Sequence, residues 1–143
     1  MKLHVDGIFR YEFTVPESAI DGNGHVNNVA YVQWMQDVAV RHATASSSAD
    51  GMGGAAGIWV ARSHYIEYLR PAFAGDCVQA NTWIADLRRV RARRRYKFVR
   101  PSDGAVLAQG ETDWVFVNPA TGRPRSIPDE IRQAFAVVPD EVR

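Results

Sequence analysis

The sequence predicts an α+β fold in which one long helix lies against an antiparallel sheet of about five strands. Three observations predict it. Apolar residues recur at helical spacing between Asn28 and Ala45. From Ile58 to Val117 the chain breaks into segments rich in β-branched and aromatic residues, separated by Gly, Pro and Asp turn signals. Those later segments are joined by short turns, which favour antiparallel pairing, and the helix is the element long enough to cover their apolar face.

The elements follow in order. Ile8–Val15 reads as a strand closed by Pro16. A polar loop, Glu17–Asn27, leads into the helix, whose apolar positions include Tyr31, Val32, Met35, Val38, Ala39 and His42. Asp37 and Arg41 are spaced for a supporting ion pair. Tyr31, Trp34 and Met35 share a helical face and are expected to pack on the sheet. Ser46–Gly57, dominated by Ser, Gly and Ala, is expected to be a loop. Strands are expected at Ile58–Leu69, Cys77–Val90, Arg91–Arg100 and Ala105–Val117, as a four-strand meander. Pro128-Asp129-Glu130 opens a short helix to about Ala136. Trp59, Trp83 and Trp114 are expected in the core or a subunit interface, and Cys77 as an inert buried residue.

Composition narrows the functional classes. The 143 residues suit one domain spanning 1–143. With 17 Lys+Arg against 16 Asp+Glu, the molecule as a whole is no obvious polyanion binder. One cysteine allows no internal disulfide and no cysteine zinc site, and His4, His25, His42 and His64 are scattered. No metal and no cofactor are expected. No apolar run approaches the roughly 20 residues of a membrane span, and Met1–Arg10 lacks a signal-peptide core, so a reducing, cytoplasmic setting without membrane contact is expected. The absence of Gly-x-Ser-x-Gly excludes the α/β-hydrolase elbow. Charge is nevertheless uneven. Arg88–Arg100 holds eight of the 17 basic residues and no acid. In a strand, Arg91, Arg93, Arg95 and Lys97 would share one face, with Ala92, Arg94, Tyr96 and Phe98 on the other. The stripe reads either as a solvated edge that resists aggregation or as a phosphate contact. It lacks a nucleic-acid recognition module, and nucleic acid is not an expected partner.

The chemistry-bearing stretch is Asp21-Gly22-Asn23-Gly24-His25-Val26-Asn27-Asn28. A carboxylate, an imidazole and three carboxamides precede a helix, whose first N–H groups favour developing negative charge. The same residues also suit a plain turn and a helix cap, with Asn27 or Asn28 as N-cap. Taken together they point to acyl transfer.

The pattern Asp21-x-Asn23-x-His25-Val26-Asn27-Asn28-x-x-Tyr31 resembles the hot-dog-fold thioesterases. It is close in motif to acyl-CoA thioesterases of the 4-hydroxybenzoyl-CoA thioesterase superfamily and to plant acyl-acyl-carrier-protein thioesterases. Tyr65-Ile66-Glu67-Tyr68-Leu69-Arg70-Pro71-Ala72 with Gly75-Asp76 resembles a second signature of that family. The resemblance covers roughly Tyr11 to Val117. It implies a curved antiparallel sheet around a central helix, and dimers or tetramers with sites between subunits. It also implies hydrolysis of acyl-CoA, with acyl carrier protein as the alternative carrier and a non-catalytic acyl-CoA-binding module as the alternative class. The roles it implies are Asp21 as nucleophile or general base, Asn23 as its support, and His25 on the carbonyl, the water or the leaving thiolate. The N–H groups of Gly24, Val26 and Asn27 would form the oxyanion hole. Asn28 and Tyr31, with Arg91, Arg93 and Arg95 for coenzyme A phosphates, would bind substrate. Plant members carry a further acid. Trp59–His64 supplies none, so either Asp21, Asn23 and His25 suffice, as in the bacterial branch, or Asp37 or His64 stands in.

Overall fold

A computed structural model describes residues 6–46, 53–54 and 56–139. The chain runs β1 (Phe9–Thr14), a 3-10 turn (Glu17–Ala19), α1 (Asn28–Ser46), β2 (Gly53–Gly54) and β3 (Gly57–Tyr68). It continues as β4 (Cys77–Leu87), β5 (Arg91–Arg100), β6 (Ala105–Val117) and α2 (Asp129–Ala134). The strands form one antiparallel sheet in the order β1-β4-β5-β6-β3-β2. Gly53–Gly54, inside the expected glycine-rich loop, pairs with Gly57 and Ile58, while 47–52 and 55 lie outside the described residues.

The expected meander needs a correction. β4, β5 and β6 are consecutive neighbours, but β3 pairs with β6 and not with β4. The reason lies in the connection after Tyr68, which is too long for a tight hairpin turn. The Leu69 and Arg70 N–H groups both donate to Leu107 O (2.9 and 3.1 Å), which turns the chain across the end of the sheet. A second turn at Gly75, with φ +87, then feeds β4.

Alternation along β5 decides what faces the helix. Ala92, Arg94, Tyr96 and Phe98 are buried, whereas Arg91, Arg93 and Lys97 are exposed. Tyr96 and Phe98 pack in the core with Met35 and Val38 of α1, Val78 of β4 and Leu107 of β6. Side chains of this size each contribute about 1.5–3 kcal/mol on full burial. β3 and β6 approach closely at Gly110, where a Cβ would stand 2.4 Å from Tyr65 O. Irregular register at Ala61/Ser63, Ile84/Asp86 and Phe98/Val99 adds local bends to the sheet.

Smaller expectations are also corrected. β5 lies between β4 and β6, so the basic stripe is not a sheet edge. Asp37 accepts from Gln33 Nε2 (2.9 Å) rather than pairing with Arg41, whose guanidinium sits 3.9 Å over the Tyr11 ring. Cys77 is exposed, because it shares the outward register of Gln79 while Val78 and Ala80 turn inward; its thiol approaches Glu12 Oε1 at 3.8 Å. α2 stops at Ala134. Trp83 and Trp114 are buried, and Trp59 is half-buried against Phe116.

Candidate active site

The Asp21 stretch folds as a closed turn. Ile20 and Val26 bridge antiparallel, and the Asp21 N–H donates to His25 O (3.0 Å). Gly24 turns the backbone at φ +85 and donates its N–H to Asp21 O (3.0 Å). One carboxylate oxygen of Asp21 accepts the Asn23 backbone N–H at 2.8 Å, an Asx turn that fixes the carboxylate. Asp21, Asn23 and His25 are therefore brought together in one five-residue turn, with Asp21 and His25 half-buried and Asn23 exposed. Asn23 supports Asp21 through its main chain; its carboxamide makes no hydrogen bond among the described residues.

The turn is pinned from two sides. Val26 N–H donates to Ala72 O and Asn27 N–H to Ala19 O, both at 2.9 Å. The Ala72 segment is itself held by Asp76, which accepts the Phe73 N–H (3.0 Å) and pairs with Arg100 Nη1 (3.0 Å). The Phe73 ring meets His25 edge-on at 6.4 Å. Asn27 caps α1, with its Oδ1 accepting Ala30 N–H at 2.9 Å.

This bonding revises the expected oxyanion hole. The N–H groups of Gly24, Val26 and Asn27 are already committed to backbone carbonyls. The first-turn donors left without an acceptor among the described residues are those of Asn28 and Val29. The positive end of α1 is therefore open one to two residues later than the sequence suggested.

Beside it lies a groove lined by His25, Val26, Asn28, Tyr31, Tyr68 and Leu69. Tyr68 Oη donates to Asn28 O (3.0 Å) and packs edge-on against Tyr31 at 5.6 Å. Tyr31 is 3% exposed, and its hydroxyl is buried without a hydrogen-bond partner among the described residues. Burial pushes the phenol up to about 12 against the opposing pull of Arg100. Sequence reasoning passed over Tyr68, although its place in the second motif and its inward register on β3 were the available signal.

Other expected site residues lie elsewhere. Arg91, Arg93 and Arg95 project from the face of β5 opposite α1, so the chain does not bring them to the turn. Arg91 pairs with Asp113, and Arg95 with Glu111 at 2.7 Å. His64 bonds Thr112 Oγ1 through Nδ1 (2.8 Å), and that hydroxyl also accepts Tyr96 Oη (2.9 Å). Asp37 lies on the exposed side of α1. No cluster of potential metal ligands occurs among the described residues.

A helix laid on an antiparallel sheet, with a carboxylate turn at its open N-terminus, defines a hot-dog-fold protein of the thioesterase class. The chain belongs to the thioesterase-like superfamily, whose family model matches residues 15–135. It is 28% identical over 133 residues to the acyl-[acyl-carrier-protein] hydrolase FATB2, chloroplastic, of Cuphea viscosissima, covering 88% of this chain. The chain spans only 32% of that relative's length. It also resembles the solved structure of a thioesterase complexed with coenzyme A and Zn from Thermus thermophilus. That likeness has a TM-score of 0.78 and 26% identity, and covers 90% of this chain and 91% of the other. The PA5185 protein of Pseudomonas aeruginosa shares the fold, with a TM-score of 0.84 at 22% identity over 94% of each chain.

Proposed function

We propose that this protein hydrolyses acyl-CoA thioesters to a free acid and coenzyme A. The observation that carries the reading is the Asp21 carboxylate, fixed by its own turn in the loop that leads directly into α1, whose Asn28 and Val29 N–H groups have no acceptor among the described residues. Asp21 acts on the thioester carbonyl carbon directly or takes a proton from the attacking water. The carbonyl oxygen, as it gains charge, is held by the Asn28 and Val29 N–H groups. The C–S bond then breaks, and the thiolate leaves with a proton from His25. If Asp21 attacks, the reaction's single water instead hydrolyses the acyl-enzyme anhydride, which gives the same products and restores the carboxylate.

The coenzyme A likeness of the Thermus thermophilus thioesterase supports coenzyme A as carrier. Acyl carrier protein is the second reading, favoured by the acyl-carrier-protein hydrolase named among the relatives. In this reading the chain assembles as a homodimer or homotetramer. β2 covers only the first two residues of β3, which leaves the rest of that strand's outer edge open among the described residues. Val29, Tyr65, Tyr68, Leu69 and Phe73, all apolar or aromatic, are exposed on and around it. The test is thiol release from one acyl group presented on coenzyme A and on acyl carrier protein. Faster turnover of the coenzyme A ester supports the first reading. Turnover of the carrier-protein ester alone selects the second, and turnover of neither overturns both.

A further inference from the structure

One side chain ties the first residue of α1 to the sheet. Tyr68 closes β3, where it pairs with Ala108 of β6, and its ring packs edge-on against the buried Tyr31 ring. The next two N–H groups, of Leu69 and Arg70, both donate to Leu107 O and hold that end of the strand. From this support the Tyr68 hydroxyl reaches α1 and donates to Asn28 O at 3.0 Å. Partial burial raises the phenol above its ordinary range, so the hydroxyl stays protonated and able to donate at neutral pH. Asn28, Tyr31, Tyr68 and His25 all line one groove of about 240 Å³.

The acceptor of that bond is half of an amide. Asn28 C=O and Val29 N–H belong to one planar peptide unit and point in opposite directions. A donor on the oxygen therefore fixes the plane in which the N–H lies. It also polarises the amide, so that the N–H donates more strongly. Val29 N–H is one of the two first-turn donors with no acceptor among the described residues. We propose that Tyr68 is a positioning residue for thioester hydrolysis: through Asn28 O it orients and strengthens the Val29 N–H that receives the developing oxyanion. This role rests on the proposed function and requires no contact between Tyr68 and the reacting atoms.

Tyr68→Phe is the test, because it removes the hydroxyl and keeps the ring against Tyr31. The full chain is compared with wild type by melting curve, by the amide ¹⁵N resonance of Val29 without ligand, and by steady-state kinetics on the best acyl thioester. The expected result is a retained melting temperature and a displaced Val29 resonance. With it, kcat falls about tenfold while KM stays within about twofold, the pattern of an interaction felt in the transition state. The fall is smaller than the roughly 10²–10³ that follows loss of a whole oxyanion donor, because the Val29 N–H itself remains. A merely structural role lowers the melting temperature without this split, and direct contact with substrate raises KM with the Val29 resonance unmoved; either result overturns the proposal. So does a wild-type kcat in Tyr68→Phe. Wild type inert on both coenzyme A and acyl-carrier-protein esters fails the proposed function, and this role falls with it. Active wild type with an equally active Tyr68→Phe overturns this role alone.

Discussion

At Asp21 the turn solves a problem of placement. A carboxylate on a flexible loop would sample many rotamers, but the Asn23 N–H at 2.8 Å holds one of its oxygens and leaves the other available. Tyr31 poses the converse question, since its hydroxyl is buried beside the groove with no partner among the described residues. An unsatisfied buried hydroxyl costs about 1–3 kcal/mol, so Tyr31→Phe should leave the melting temperature unchanged or raised. If the hydroxyl meets substrate, the same variant raises KM several-fold, whereas an unchanged KM removes Tyr31 from the binding residues. The polar residues of the turn, Asp21, Asn23 and His25, were legible in the sequence because they cluster ahead of a helical period. The donors were not. Which N–H groups remain open depends on Ala19 and Ala72, residues with no chemical signal, whose carbonyls close off Val26 and Asn27.

At the scale of elements, the period-2 and period-3.6 patterns located α1 and the long strands to within a few residues. They could not give strand order. β3 and β4 are adjacent in sequence and separate in space, because Leu107 O captures the chain at Leu69 and Arg70 and directs it across the sheet end. The β3–β6 pairing depends on a missing side chain. At Gly110 a Cβ would fall 2.4 Å from Tyr65 O, a backbone atom that cannot swing aside. Gly110→Ala should therefore destabilise the fold by about 1–3 kcal/mol in chemical denaturation. A variant as stable as wild type would mean that β3 can move away from β6 at little cost.

Across the whole molecule, the basic stripe shows how far composition misleads without register. Arg88–Arg100 contains no acid, yet β6 places Glu111 beside Arg95 and Asp113 beside Arg91, and the loops bring Asp76 and Asp103 to Arg100. Much of the charge is balanced by neighbours distant in sequence. Exposed pairs of this kind contribute little stability. The open edge of β3 belongs to this scale as well. If the chain assembles through this edge as proposed, a lysine in place of Tyr65, which is 60% exposed, shifts the protein towards monomer in sedimentation and lowers turnover with it. An unchanged sedimentation coefficient would move the subunit contact away from β3.

The central claim is that Asp21 carries out the chemistry of thioester hydrolysis. It is tested most directly by thiol release from the best acyl-CoA substrate, with wild type beside Asp21→Ala at matched folded concentration. Loss of a positioned general base or nucleophile predicts a fall in kcat/KM of about 10²–10⁴ with melting temperature largely retained. Wild-type turnover by Asp21→Ala would contradict the account.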